Sequence, residues 1–226
     1  SRNYAKAAKL PMLEPSDSAE GLAFAKLAYE LSERFDTPVL LKMCTRVAHS
    51  QSIVEPSERV LPEQRPYEKN PQKYIMMPGF AKKRHPIVEA RLEKLAEYAE
   101  TAPCNRSTSY QYVREVCGAD VSVLKLGMVW PLPKKLLTDF AASVDRCVVV
   151  EELDGFLEDY CRAIGLNVEG KRYFSNIDEL SQNKVAAGLG LAPKQGRALD
   201  ETIPARPPVM CAGCPHRGLY YVLHKL

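Results

Sequence analysis

The strongest constraint on the fold is an alternation of helix-like and strand-like segments that starts near residue 109. The pattern predicts, in chain order, a helix at 109–117, a strand over 121–126, a helix that starts at Pro133, a strand at 147–150 and a helix at 155–164. Helices that alternate with strands at this spacing favour parallel sheet layers with helices on both faces. The sequence therefore predicts an α/β fold.

The segments before residue 109 extend this pattern. Residues 16–35 predict a helix, because Asp17 and Glu20 have the spacing of a capping box and the apolar residues share one face. Residues 39–43 predict a buried strand. Six prolines lie in 55–86, so we expect a connector there, followed by a helix at 87–101. Residues 192–208 predict a second connector, which leads to a helix at 218–225.

Composition excludes several classes of protein. Hydrophobic residues make up 46% of the 226 residues and charged residues 26%, which is typical of a globular chain. The net charge of +3 comes from well-mixed residues, so we expect no binding to nucleic acid. There is no apolar run of 18 residues and no secretory signal, so we expect no membrane association. Seven cysteines, an odd number, predict reduced thiols in a cytoplasmic protein.

The densest chemical motif is the Cys-Ala-Gly-Cys-Pro-His-Arg sequence at 211–217. Cys211 and Cys214 are spaced as half of a metal or iron–sulfur site, as a redox pair, or as structural thiols at a tight turn, and spacing alone leaves all three open. His216 and Arg217 follow at once, where they could face an anionic ligand near a helix start or simply lie on the surface.

Two further polar segments follow predicted strands, where open α/β sheets place their ligands. Arg46 and His49 lie after the strand at 39–43, and Glu151 and Glu152 end the strand at 147–150. The alternatives are a loop that bonds to neighbouring carbonyls for the first segment and a helix-capping or interface pair for the second. The sequence contains no glycine-rich phosphate loop, no serine-hydrolase elbow and no His-Glu-x-x-His motif.

Five stretches resemble one enzyme family, in the family's order. Residues 208–226, with the distinctive Cys-x-Gly-Cys-Pro-His-Arg-Gly motif, resemble the opening of the thiamine-diphosphate domain in the large subunit of the indolepyruvate:ferredoxin oxidoreductases. Residues 1–21 and 38–50 resemble the end of the family's pyrimidine-binding domain. Residues 123–137 and 148–159 resemble its transketolase C-terminal-like domain.

The resemblance implies an internal segment of a 2-oxoacid:ferredoxin oxidoreductase that would be inactive alone. Residues 1–54 would form the C-terminal part of the pyrimidine-binding domain, and residues 55–86 would form a proline-rich connector. Residues 87–191 would form the transketolase C-terminal-like domain. Residues 192–226 would form a second connector and the start of the pyrophosphate-binding domain. The family uses thiamine diphosphate, Mg²⁺ and [4Fe–4S] clusters, mostly bound outside this segment. It decarboxylates aryl pyruvates, transfers the acyl group to coenzyme A and reduces ferredoxin, as a hetero-oligomer with a beta subunit.

The resemblance also assigns roles to residues. Cys211 and Cys214 would ligate a cluster, whereas His216, Arg217, Arg46 and His49 would bind cofactor or substrate; the catalytic residues stay unknown. The family carries about a dozen more residues near Arg106, including the first strand of its middle domain, so we expect this chain to lack them. Its activating Glu and pyrophosphate motif are absent from these 226 residues. Two alternative functions are a non-catalytic α/β subunit-interaction domain and a CxxC metal-binding module.

Overall fold

The computed structural model describes residues 1–51, 53–59, 66–105, 111–119, 121–196, 210 and 213–226. The chain forms two units, Ser1–Pro193 and Lys194–Leu226. The elements of the first unit are α1 (Arg2–Ala8), β1 (Met12–Leu13), α2 (Ser18–Phe35), β2 (Leu40–Leu41), α3 (Thr45–His49), α4 (Pro71–Tyr74), α5 (Pro78–Thr101), a 3₁₀ turn (Pro103–Asn105), α6 (Gln111–Cys117), β3 (Met128–Trp130), α7 (Lys134–Ala142), α8 (Phe156–Ala163) and α9 (Gln182–Gly188). The second unit contains α10 (Pro215–Lys225).

Helix α2 forms where its sequence predicts it. The Asp17 carboxylate accepts a hydrogen bond from the Glu20 backbone N–H at 2.8 Å, and this bond caps the helix. The Glu20 carboxylate accepts in turn from the Ser16 backbone N–H, one residue earlier than in a standard capping box. Phe24 and Leu31 are buried, so the apolar face of the helix packs into the core.

The sheet is small and mixed, which corrects the prediction of parallel sheet layers. Its strand order is β2-β1-β3; β1 pairs in parallel with β2 and antiparallel with β3. The Asn105 side chain helps to position β3, since its Oδ1 accepts from the Met128 N–H at 2.8 Å and its Nδ2 donates to the Ala99 carbonyl at 2.9 Å. The fold is α/β, with most of its regular structure in helices.

The predicted strands are shorter or lie elsewhere. The strand expected over 121–126 instead forms at Met128–Trp130, and the one expected over 39–43 shortens to Leu40–Leu41. Residues 147–150 form only an isolated parallel bridge, between Val148 and Glu169. The sequence pattern indicates which residues can adopt the extended conformation of a strand. A strand also needs a partner for its backbone hydrogen bonds, and tertiary contacts decide where that partner lies.

The helix predicted at 87–101 begins nine residues earlier, at Pro78, and continues through Pro86. Pro86 removes one intrahelical hydrogen bond, but Leu95 and Ala99 further along the helix are fully buried, and this packing holds the helix in place. The predictions for α7 after Pro133 and for α8 between Gly155 and Gly165 are confirmed. Helix α10 begins three residues before its predicted start.

The core consists of clusters that pack around the sheet and between helices. One cluster joins Phe24, Leu31, Leu95 and Met128, and another joins Val113, Phe174, Leu180 and Val185. The described cysteines are free thiols; Cys161 is buried, whereas Cys117 and Cys147 are half-buried. None of the helices in the described ranges is long and apolar enough to cross a membrane.

Candidate functional site

A cavity of about 1160 Å³ opens within the unit Ser1–Pro193. Apolar side chains from 121–126, 147–150 and α7 form much of its lining, and charged side chains from α1 and from the ends of β1 and β2 form another part. Its volume lies just above the roughly 300–1,000 Å³ range of small-molecule sites. The cavity is therefore a candidate ligand site of this unit.

Four charged residues form one connected network on the cavity wall. Arg2 binds both oxygens of Glu14, with Nε–Oε2 at 2.9 Å and Nη2–Oε1 at 3.1 Å, and donates from Nη1 to Oε2 of Glu151 at 2.9 Å. Lys42 donates to Oε1 of Glu14 at 2.5 Å. Burial opposes ionisation of Glu14, but the hydrogen bonds and charges of Arg2 and Lys42 outweigh it and lower the pKa of that carboxyl.

Glu151 is the most buried member of this network. Besides Arg2, its carboxylate accepts hydrogen bonds from the backbone N–H groups of Leu157 and Glu158 at 3.0 Å, so it caps the first turn of α8. Burial raises the pKa of Glu151 despite these donors. The next residue, Glu152, accepts from the Leu180 N–H at 2.8 Å. Glu151 is therefore a helix cap, as one interpretation of this acidic pair predicts, whereas Glu152 bonds to the backbone ahead of α9.

Arg46 and His49 both lie on the short helix α3, but only Arg46 lines the cavity. The Arg46 guanidinium pairs with Glu179, hydrogen-bonds to the Tyr112 hydroxyl, and lies 5.4 Å from the centre of the Tyr112 ring. His49 is exposed. Cofactor binding by these two residues stays a prediction. Arg46 would have to release Glu179 before its guanidinium could bind a cofactor.

In the second unit, Cys214, His216 and Arg217 lie at the start of α10. Cys214 occupies the N-cap position and its Sγ is 3.4 Å from Nδ1 of His216, while His216 and Arg217 are exposed. Gly213 has a φ of +80°, so the chain enters the helix through a turn that favours glycine. A thiolate and an imidazole so close together are suited to share one soft metal ion.

Cys211 lies outside the described residues, so a paired role of Cys211 and Cys214 stays a prediction. Among the residues that the structure describes, no group of three or more His, Cys, Asp or Glu side chains could hold a metal ion. A [4Fe–4S] cluster takes four thiolate ligands, and the described part of this motif supplies one. A cluster here would therefore need Cys211 and further ligands.

Sequence reasoning missed Arg2, Glu14 and Lys42. Two of them carried a usable signal, because Glu14 directly follows β1 and Lys42 directly follows β2, and polar residues at strand ends are where α/β sheets place ligands. Arg2 carried none, since its two carboxylate partners lie 12 and 149 residues away in the chain.

Three curated relatives illustrate what the chain is similar to. It is 33% identical to the indolepyruvate oxidoreductase subunit IorA of Archaeoglobus fulgidus, 35% to that of Methanothermobacter thermautotrophicus and 31% to that of Thermococcus kodakarensis. These matches cover 99–100% of this chain but 41% of each relative. The chain thus spans about two fifths of the relatives' length. No family model matches it, and no solved structure matches it significantly.

The alignments also show that the relatives are longer within the matched region. The Archaeoglobus alignment extends over 261 positions, 35 more than the 226 residues of this chain, all of which it covers. That relative therefore carries at least 35 residues, inside the matched region, that have no counterpart here.

Proposed function

The chain corresponds along its whole length to a segment of the indolepyruvate oxidoreductase subunit IorA, and from this premise we propose that it works as part of such an oxidoreductase. The proposed reaction is the oxidative decarboxylation of aryl pyruvates to acyl-CoA, with ferredoxin as the electron acceptor. The observation that carries the proposal is the 30–35% identity that extends over 99–100% of the chain in six curated relatives. The two alternative functions, a non-catalytic subunit-interaction domain and a CxxC metal-binding module, have no comparable support.

The proposed cofactors are thiamine diphosphate with Mg²⁺, and [4Fe–4S] clusters. When bound, thiamine diphosphate supplies the carbon nucleophile that removes carbon dioxide from a 2-oxoacid. Cys214, with its thiol at the start of α10, would be one cluster ligand, and Cys211 would be a second. The protein itself would position the substrate and balance its charge, and these two roles can be assigned to individual residues.

Arg217 is the residue we propose to bind the substrate carboxylate. It is exposed in the first turn of α10, where the helix dipole also favours an anion, and its guanidinium forms no ion pair with another described residue. A guanidinium binds a carboxylate through two parallel hydrogen bonds, which orients the substrate as well as holding it. His216, one residue earlier, would contact the same anion or the cofactor.

The proposed assembly is a hetero-oligomer with a beta subunit. The relatives are named as subunits. In this chain, α10 contains no buried residue, and its apolar side chains Leu219, Tyr220, Tyr221, Val222 and Leu223 are 54–65% exposed. A helix with this much exposed apolar surface is typical of one that packs against further protein.

The test of the function uses the complete subunit with its partner. We expect indolepyruvate-dependent reduction of ferredoxin that requires thiamine diphosphate and coenzyme A, and no turnover by the 226-residue segment alone. Absence of thiamine-dependent ferredoxin reduction by the complete enzyme would reject the proposal.

The role of Arg217 has a separate test in the same enzyme. Arg217→Ala should raise the KM for indolepyruvate by about tenfold or more, the effect of losing a charged hydrogen-bonded pair. Lys225→Ala, an exposed change at the other end of α10, is the matched control and should leave the KM unchanged. An unchanged KM in Arg217→Ala would remove Arg217 from the site without affecting the proposed reaction.

A further inference from the structure

The positive charge of this chain is concentrated in one segment. Residues 66–87 carry five lysine and arginine side chains against one glutamate, a net charge of +4, while the whole chain carries +3. The segment lies within the described residues and covers α4 and the first part of α5. The surface around these two helices therefore has a local excess of positive charge, which attracts anionic groups.

Three neighbouring cations in this segment have no counter-ion. Lys82, Lys83 and Arg84 form no ion pair with any described residue, and both lysines are exposed. Burial lowers the pKa of Arg91, and the charge of Arg84 lowers it further, so two cations repel each other along α5. The Arg91 Nε is buried without a hydrogen-bond partner among the described residues. An anionic group placed here would therefore meet charges that are not already neutralised.

An apolar surface adjoins these cations. Tyr74, Ile75, Met76 and Met77 follow one another in the chain between α4 and α5, and their side chains are 52–62% exposed. Met77 is the N-cap of α5, and Lys82 follows it by five residues, a rise of about 7.5 Å along a helix. Four consecutive large apolar side chains exposed in this way mark a surface that packs against another molecule.

Two observations decide what kind of partner fits this surface. The backbone N–H groups of Met76 and Met77 donate to no described residue. Lipid chains offer no acceptor, so insertion into a bilayer would leave both donors unpaired, which is costly. The phosphates of a nucleic acid would match the charge but would leave the apolar side chains exposed. A protein can accept from the N–H groups, cover the methionines and supply carboxylates to the lysines.

We propose that residues 74–77 and 82–84 form a docking surface for an acidic protein segment, one that carries carboxylates next to apolar side chains. The carboxylates would bind Lys82 and Lys83, and the apolar side chains would cover Met76 and Met77. The exposed charges would speed encounter and set specificity, whereas the apolar contacts would supply most of the affinity. The inference does not depend on the proposed reaction.

The first measurement uses a fluorescent peptide of the sequence Asp-Glu-Leu-Asp-Glu-Phe-Asp-Glu-Leu and the chain as it stands, with binding followed by fluorescence anisotropy. We expect binding that weakens as salt is added, because salt screens exposed charges. A second peptide, in which each carboxylate is replaced by its amide, should bind at least about tenfold more weakly. Equal binding of the two peptides would overturn the proposal, and this comparison needs no variant of the chain.

The second measurement locates the peptide on the chain. The double change Lys82→Glu and Lys83→Glu reverses the charge of the surface and should weaken binding of the acidic peptide by about tenfold or more. The matched control is Lys134→Glu with Lys135→Glu, because these are also adjacent, exposed lysines near the start of a helix, α7. The control should change the affinity by less than about twofold. Equal weakening by the two double changes would overturn the proposal.

The apolar part of the surface has its own variant. Met76→Ser with Met77→Ser leaves the charge unchanged and should also weaken binding of the acidic peptide, by about tenfold. Unchanged affinity in this variant would contradict the proposal, because charge alone would then explain the binding. Absence of binding by the acidic peptide to the parent chain would overturn it as well, and binding of vesicles of phosphatidylserine and phosphatidylcholine in that case would identify a membrane surface instead.

Discussion

Arg2 and Glu151 are 149 residues apart in the chain, and the Arg2 guanidinium donates to the Glu151 carboxylate at 2.9 Å. The contact joins α1 to the first turn of α8, because Glu151 also accepts from the N–H groups of Leu157 and Glu158. Through Glu14, Arg2 is joined to the end of β1 as well. One side chain thus connects the sheet to a helix that comes late in the chain.

Removal of the Arg2 guanidinium should destabilise the folded protein. Arg2→Met keeps most of the side-chain volume but leaves Glu151, whose side chain is 1% exposed, without its cationic partner. We expect the free energy of unfolding to fall by about 3 kcal/mol, at the lower end of the range for breaking a buried pair, as measured by urea denaturation.

Arg146→Met is the matched control for Arg2→Met, because Arg146 pairs with Glu169 while its side chain is 53% exposed. That change should lower the free energy of unfolding much less than Arg2→Met does, because a solvent-exposed ion pair contributes little to stability. Equal losses in the two variants would show that the Arg2 network contributes no more than a surface ion pair.

Stability should fall in acid because of Glu14 and Glu20. The hydrogen bonds and charges of Arg2 and Lys42 at Glu14, and of Lys125 at Glu20, outweigh burial and lower the pKa of each carboxyl below the ordinary 4.5. A carboxyl with a lowered folded-state pKa contributes stability above its unfolded pKa and loses that contribution as the pH falls through the folded one. The free energy of unfolding should therefore decrease as the pH drops below 4.5.

Glu14→Gln should make this pH dependence shallower, since it removes one of the carboxyls whose pKa is lowered in the folded protein. Urea denaturation at a series of pH values from 7 to 3 measures the slope. Glu93→Gln, an exposed change on α5, is the control and should leave the slope as it is. If the slope for Glu14→Gln equals that of the parent chain, Glu14 does not contribute to the loss of stability in acid.

Gly127 should tolerate no side chain. A Cβ there would lie 2.6 Å from the Cys104 carbonyl oxygen and 2.6 Å from Cζ of Phe24, and the first of these is backbone that has little freedom to move. Gly127→Ala should lower the free energy of unfolding by about 1–3 kcal/mol, the usual cost of overpacking. Thermal unfolding followed by circular dichroism measures it. Gly79→Ala, where a Cβ meets nothing within 4 Å, should cause no loss.

The proposed cluster ligands can be tested by metal content. In the complete enzyme, Cys211→Ser and Cys214→Ser should each lower the iron bound per subunit, because serine is a poor substitute for a thiolate ligand. Cys117→Ser, a half-buried thiol in the other unit, should leave the iron content unchanged. Full iron content in both motif variants would mean that these cysteines are structural or redox-active thiols instead.

Predictions that depend on contacts between residues close in the sequence were confirmed, whereas those that depend on distant partners were less accurate. Asp17 caps α2 and Gly165 ends α8 as predicted, and α7 begins one residue after its predicted start at Pro133, because capping and chain reversal involve groups a few residues apart. The strand expected over 121–126 was wrong in position, since the neighbouring segment Met128–Trp130 found the partner β1. The functional assignments of Cys211, His216 and Arg217 rest on their motif and stay predictions.

The sequence by itself determined the α/β class, most of the helices and the similarity to the IorA subunits, because periodicity, caps and motifs are local properties of the chain. Only the tertiary structure decided that β3 pairs antiparallel with β1 and that Glu151 caps α8 while it binds Arg2. The physical reason is that these features pair groups from distant parts of the chain. Which groups meet depends on the packing of all the elements between them.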